Sequence, residues 1–403
     1  MIMDNQHWLL PEGINEVLPP NARALENLRR ELLDLYDSWG YELVFPPFIE
    51  YLESLLTGTG GDLDLQTFKL TDQITGRTLG IRPDITPQVA RIDAHQLRRE
   101  SPTRLCYLGT VLTTRGDGFA GSRSPLQIGA ELYGHSGVES DLEVVCLMLE
   151  TLKRTGIQEI YLDLGHVGIF RGLTRQAGLK KPQELALFEA LQRKAIPEIR
   201  QLVDGFDLST EMGDMLTVLA ELSGDDCLVQ ARQRLANASG EVMQSLDELE
   251  QLAARLAARR PDLPIHFDLG ELRGYHYHTG VVFAAFVPGL GQEVARGGRY
   301  DEIGKVFGRA RPASGFSADL NQLFRSGHGD SAVTPVEAIF APAVNEQSLI
   351  ARVEQLRAEG RRVIFALPGQ SGDARAMGCR QVLVKQGEDW VIEASEAAGH
   401  SES

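Results

Sequence analysis

Two hydrophobic periods alternate along this chain, and each change of period marks an element. Leu25, Leu28, Leu32, Leu35, Tyr36 and Trp39 recur at helical spacing, with Asn21 as a candidate N-cap and Gly40 as a stop. The residues before them, with Pro11, Pro19 and Pro20, read as an irregular arm. Tyr41 to Phe45 reads as a strand stopped by Pro46-Pro47. Thr67 to Leu70 and Thr78 to Ile81 pair as a hairpin around Gly76. A helix is expected from Pro87 through Arg99, a strand from Leu105 to Leu112, a helix from Val138 to Thr155 and a strand from Ile160 to Leu164. Residues 175–262 then keep helical spacing throughout, as a helical insertion; Leu246, Leu249, Leu252, Ala253 and Leu256 share one face and Pro261 ends the run. Strands return at Ile265 to Leu269 and Gly280 to Phe286, followed by a glycine corner at Gly297-Gly298.

A polar stretch from Arg325 to Thr334 reads as a linker. It divides the chain into a body over residues 1–330 and a small α/β domain over 335–394. In that domain strands at Ala338 to Ala341, Val363 to Ala366 and Val382 to Val384 surround a helix over 346–359. Residues 395–403 are small and polar and read as a disordered tail. Strands grouped with hairpins and flanked by helices give a mostly antiparallel α+β fold.

Composition narrows the function classes. The net charge of −16 over 403 residues opposes general binding to a phosphate backbone. The four cysteines, Cys106, Cys146, Cys227 and Cys379, are too scattered for a zinc knuckle or a disulfide scaffold. The N-terminus lacks a signal pattern and no apolar run reaches membrane-spanning length, so the expectation is a cytoplasmic protein with no membrane partner.

Four segments carry candidate chemistry. In Gln127-Ile128-Gly129-Ala130-Glu131-Leu132-Tyr133, strict alternation puts Ile128, Ala130 and Leu132 on one face. The other face presents an amide and a carboxylate over the gap left by Gly129, a floor suited to a small polar ligand. The same pattern also fits an antiparallel strand with one solvated face. In Arg82-Pro83-Asp84-Ile85-Thr86-Pro87, two prolines pin a carboxylate and a hydroxyl. The carboxylate is able to take a ligand ammonium, although an Asx cap before a Pro-started helix fits equally. In Glu271 to Gly280, Arg273 offers a fork for a carboxylate, and Tyr275, His276, Tyr277 and His278 offer flat walls for a ring. On a strand, His276 and His278 would share a face at metal-like spacing, but no Cys or carboxylate cluster accompanies them. In Ala295 to Asp301, Gly297 and Gly298 permit a close backbone approach but form no dinucleotide or phosphate-loop motif.

These segments occur in the order seen in histidyl-tRNA synthetase, which the chain resembles over roughly residues 8–325. The resemblance implies a class II synthetase-like antiparallel sheet flanked by helices, with dimerisation through the region of Tyr41 to Glu50. It implies a histidine pocket in which Asp84, Thr86 and Gln127 hold the α-amino group and Arg273 the carboxylate. Glu131, Tyr300 and the pair Tyr277 and His278 would surround the imidazole. His278 stands where that family usually has Tyr.

Two departures bear on activity. Thr113 stands where the family's motif 2 Arg holds the α-phosphate, and Gln322 where the motif 3 Arg clamps the γ-phosphate. Loss of one such cationic group costs on the order of a hundredfold in rate. The segment 335–394 is also short for an anticodon-binding domain. The chain is therefore more similar to the regulatory subunits of ATP phosphoribosyltransferase, the synthetase-like paralogues of histidine biosynthesis. That resemblance implies a non-catalytic chain that uses no cofactor or metal and takes L-histidine as its ligand for feedback inhibition. It also implies self-association as a dimer, partnership with a short-form ATP phosphoribosyltransferase catalytic subunit in a hetero-octamer, and no tRNA. An active histidyl-tRNA synthetase and another synthetase-like role are the competing readings.

Overall fold

The computed structural model describes residues 8–57, 61–116, 121–272, 274–275, 277–328 and 337–395, the side chains of residues 61, 62 and 328 excepted. The chain falls into two units, Met1–Val17 with Leu25–Asp330 and Leu18–Ala24 with Ser331–Ser403.

The apolar stripe read from sequence folds as α1 (Asn21–Ser38), with Leu25, Leu28, Leu32, Leu35 and Tyr36 buried. Asn21 is its first residue. The strand expected at Tyr41 to Phe45 shrinks to β1 (Glu42–Leu43), which pairs parallel with a later strand. A three-stranded sheet follows: β2 (Ile49–Tyr51), then helices α2 (Leu52–Leu56) and α3 (Gly61–Gln66), then the hairpin β3 (Phe68–Thr71) and β4 (Thr78–Ile81). Gly76 takes φ +72° in the hairpin turn, a conformation costly to a side chain.

The helix expected over Pro87 to Arg99 is α4 (Thr86–Arg91), widened into a π-helix at Ile92–Leu97 and stopped at Arg98 with φ +50°. The widened turn carries Asp93 inward, where Arg311 Nη1 binds it at 2.8 Å. The widened turn and this buried ion pair coincide.

Next come β5 (Thr103–Thr110), β6 (Leu126–Tyr133), α5 (Val138–Arg154) and β7 (Tyr161–His166). The helical region is α6 (Val167–Gln176), α7 (Lys181–Gln192), α8 (Ile196–Asp204), α9 (Thr210–Val218), α10 (Cys227–Arg234) and α11 (Gly240–Arg259). Then follow β8 (Ile265–Phe267), β9 (Val281–Phe286), β10 (Ala295–Arg299), β11 (Ala313–Asp319) and α12 (Leu320–His328). The main sheet runs β1-β5-β6-β11-β10-β9-β7-β8. Its pairs are antiparallel except β1 with β5 and β7 with β8.

The glycine corner at Gly297-Gly298 is corrected: both lie inside β10, between β9 and β11. The glycines serve packing. A Cβ on Gly297 would lie 2.6 Å from the Phe283 ring, and one on Gly298 would lie 2.7 Å from the Val281 carbonyl. Arg299, next in the strand, is a structural residue. It donates to Asp141 Oδ2 from Nη2 at 2.9 Å and to the carbonyls of His135 and Gly137 at 3.3 and 3.1 Å, fastening β10 to the start of α5.

The second unit contains β12 (Ala338–Ala341), α13 (Gln347–Ala358), β13 (Arg362–Phe365), β14 (Gln381–Gln386) and β15 (Asp389–Ala394), in sheet order β13-β12-β14-β15. Strand β15, unforeseen in the sequence, pairs with β14 across a turn at Gly387, which takes φ +63°. Leu349, Val353 and Leu356 of α13 share a core with Ile339, Val363, Leu383 and Trp390. Most of the expected tail, residues 396–403, and much of the expected linker, residues 329–334, lie outside the described residues, as do residues 335 and 336.

Candidate ligand site

Strand register brings the site together. On one face of the main sheet, Leu105, Glu131, Gly315, Gly298 and Val282 stand in line across five strands. The neighbouring line on that face is Tyr107, Gly129, Ser317, Arg296 and Ala284. The glycines make a trough in which larger side chains lie. A Cβ on Gly315 would sit 2.6 Å from the Glu131 Cδ and 2.7 Å from the Tyr300 hydroxyl. A Cβ on Gly298 would sit 2.9 Å from His278 Nε2.

The gap over Gly129 is filled by protein, which corrects the sequence reading. The Tyr107 phenol lies over it, with its ring Cζ 2.5 Å from where a Cβ would be. The Tyr107 hydroxyl donates to Glu131 Oε1 at 3.0 Å and lies 3.0 Å from Thr86 Oγ1. Tyr107 was absent from the sequence candidates, because only the pairing of Tyr107 with Gly129 reveals its role.

Glu131 is almost wholly buried, at 1% exposure. Its Oε2 accepts a short hydrogen bond from the Tyr300 hydroxyl. Burial pushes its carboxyl up to about 8, with a smaller push from the Asp84 charge, against the opposing bonds from Tyr300 and Tyr107. The two phenols are themselves held well above their ordinary value, first by burial and then by the Glu131 charge, so they remain donors. Both faces of β6 are buried, so the solvated-face reading fails.

Asp84, Thr86 and Gln127 also meet. Gln127 Nε2 donates to Asp84 Oδ1 at 2.7 Å, Thr86 N donates to the same oxygen at 3.1 Å, and Gln127 Oε1 accepts from Ile85 N at 2.9 Å. Asp84 Oδ1 therefore makes the Asx turn, but the residue that caps α4 is Ile85, without a side-chain hydrogen bond. Gln127 holds the 84–86 turn to β6 while also lining the cavity.

The described residues of 271–280 form turns rather than a strand, and the paired-histidine reading falls on His276, outside the described residues. His278 is buried, 4.3 Å from the Tyr277 ring and 6.3 Å from the Tyr300 ring by centroids. Arg273 and His276 lie outside the described residues. Among the described residues no cluster of three metal-ligating side chains occurs. Asp84, Thr86, Gln127, Glu131, Tyr277, His278 and Tyr300 all line one cavity of about 440 Å³, a volume suited to a small metabolite.

Of the two departures noted in the sequence, Thr113 lines this cavity and Gln322 does not. Thr113 is buried at the cavity wall, and Gln322 is buried with Nε2 donating to Glu293 O at 3.4 Å. Nearby Arg123 donates to the carbonyls of Thr113 and Glu12, both at 3.2 Å, and Arg115 is exposed.

Residues 13–323 match the histidyl-tRNA synthetase family model, and residues 336–393 match the C-terminal domain of the ATP phosphoribosyltransferase subunit HisZ. The ATP phosphoribosyltransferase regulatory subunit of Thioalkalivibrio sulfidiphilus is 59% identical over 391 residues, covering 96% of this chain and 99% of that protein. The chain belongs to the ATP phosphoribosyltransferase regulatory subunits. Its likeness to the regulatory subunit of Methylococcus capsulatus is similar, 58% identity over 390 residues and 96% of each chain. Among solved structures, an ATP phosphoribosyltransferase regulatory subunit/histidyl-tRNA synthetase from Bacillus halodurans superposes with TM-score 0.80 at 29% identity, over 92% of this chain and 96% of that one. Histidyl-tRNA synthetase from Nostoc shares the fold, with TM-score 0.75 at 20% identity over 96% of this chain and 97% of that one. Membership in this family fits a synthetase-like fold without arginine at positions 113 and 322. Among the described residues no helix is long and apolar enough to cross a membrane.

Proposed function

We propose that this regulatory subunit binds free L-histidine in the 440 Å³ cavity and conveys its level to a short-form ATP phosphoribosyltransferase catalytic subunit, in the first step of histidine biosynthesis. The observation that carries the reading is Glu131, a carboxylate sealed at the cavity wall and held by two phenols. A ligand N–H aimed at it, as on an imidazole, favours the ionised form and offsets the cost of its burial. Asp84 takes the α-ammonium beside Thr86, with Gln127 holding their turn in place, and Arg273 takes the carboxylate. Tyr277, His278 and Tyr300 enclose the ring.

Catalysis resides in the partner. Without guanidinium groups at 113 and 322, adenylation in this cavity lacks the charge stabilisation that phosphoryl chemistry requires. We assign the ligand-binding body to residues 1–330, its helical region to about 175–262, and a separate small domain to 335–394. Self-association through the region of Tyr41 to Glu50 is supported by the exposed Leu43, Phe45, Phe48 and Ile49. A hetero-octamer with the catalytic subunit is the assembly we expect.

Isothermal calorimetry of the chain alone with L-histidine tests the ligand. The expected result is one site per chain, lost in both Glu131→Ala and Arg273→Ala while each variant still assembles with the catalytic subunit. Undiminished affinity in both variants would refute the pocket assignment.

A further inference from the structure

The helical region also reaches the ligand cavity. Phe188 and Gln192 of α7 line it, opposite the sheet residues. Tyr275, two residues before the aromatic wall of Tyr277 and His278, is held mainly by that region. Its hydroxyl donates to Glu184 Oε1 at 2.7 Å. Its ring stacks on Phe188, with centroids 4.9 Å apart and planes at 26°, and meets Phe170 of α6 edge-on at 5.3 Å. Arg171 lies over the Tyr275 ring at 4.8 Å and donates to the Tyr275 carbonyl. The approach to this turn is held from the same side: Leu269 N donates to Leu222 O at 3.0 Å, Gly224 N donates to Phe267 O at 2.9 Å, and Lys194 pairs with Asp268. Beyond the aromatic wall the chain returns to the sheet, where Thr279 N donates to Arg299 O at 2.7 Å.

We propose that α7 is part of the ligand site, with Glu184, Phe188 and Tyr275 as positioning residues that hold Tyr277 and His278 against the cavity. The proposal rests on the histidine reading for its ligand, though the latch itself is a property of the free chain. An aromatic stack and a hydrogen bond to a carboxylate, on a turn otherwise lacking regular structure, fix where its ring side chains stand. Ligand affinity then depends on residues in a region whose sequence shows only helical packing.

The test compares Tyr275→Phe, Glu184→Ala, Glu184→Gln and Phe188→Ala with the parent chain. L-histidine affinity is measured by calorimetry, and backbone exchange of 274–279 by hydrogen–deuterium exchange without ligand. Tyr275→Phe, Glu184→Ala and Phe188→Ala are each expected to weaken binding about tenfold, the equivalent of one hydrogen bond or ring contact. Glu184→Gln, which keeps the acceptor, is expected to stay within about twofold of the parent. Exchange of 274–279 is expected to quicken in the three disruptive variants, with β6 unchanged. Unchanged affinity in all of them, or a loss of affinity matched by faster exchange throughout the body, overturns the latch. If the parent binds no histidine, the ligand reading fails, and exchange alone decides: parent-like protection of 274–279 in Tyr275→Phe overturns the proposal.

Discussion

Glu131 pairs the strongest chemical handle of the site with a standing cost to stability. Its carboxyl titrates near 8 in the folded chain against an ordinary 4.5. Between those values the folded state holds a proton that the unfolded state has released, so stability falls as pH rises through this window and levels off above it. Glu131→Gln removes that dependence. The melting temperature of the variant relative to the parent is therefore expected to rise from pH 5 to pH 8; a constant difference across that range would contradict the buried-carboxylate account. Gly315 is the matching constraint, and Gly315→Ala is expected to abolish ligand binding by displacing Glu131 and Tyr300, which calorimetry reads directly. At this scale the sequence was legible where alternation alone orients a side chain, as for Gln127 and Glu131 on β6. It was not legible where a role depends on the neighbouring strand. Tyr107 fills the gap over Gly129 only because of the register between β5 and β6, and Gln127 turned out to be a brace for Asp84 because the 84–86 turn lies beside it.

Among elements, the Arg299–Asp141 pair joins the strand that carries the glycine trough to the helix behind it. Both side chains are buried, and burial raises the Asp141 carboxyl despite its partner. Asp141→Ala leaves a buried guanidinium without its main counter-charge and is expected to cost about 3–5 kcal/mol, whereas Asp141→Leu combined with Arg299→Met should recover most of the loss. Urea midpoints of the single and double variants check this, and equal destabilisation in both would show that the pair does not act as a unit. Long periodic elements such as α1 and α11 were readable because one face alone meets the core. The π-helix at Ile92–Leu97 was not, since the partner of its buried Asp93 is Arg311, more than two hundred residues away in sequence. Strand β10 was misread as a corner because Gly297 and Gly298 are glycines for the sake of Phe283, Val281 and His278, all of which arrive from other segments.

Across the whole molecule, a synthetase-like sheet keeps a polar cavity and carries threonine and glutamine at the two positions where phosphate clamps would be expected. A regulatory subunit needs ligand affinity that differs between the active and inhibited assemblies, and it needs no chemistry of its own. The family resemblance was legible from four motifs in order. The contribution of α7 to the cavity was not, because residues 175–262 show only packing periodicity in the sequence. The most direct measurement is turnover by a short-form ATP phosphoribosyltransferase catalytic subunit, with and without this chain, across a titration of L-histidine. The account expects stimulation by the chain, reversed by histidine, with the reversal lost in Glu131→Ala. No stimulation, together with histidine-dependent ATP–pyrophosphate exchange by the chain alone, would contradict it and return the cavity to synthetase chemistry.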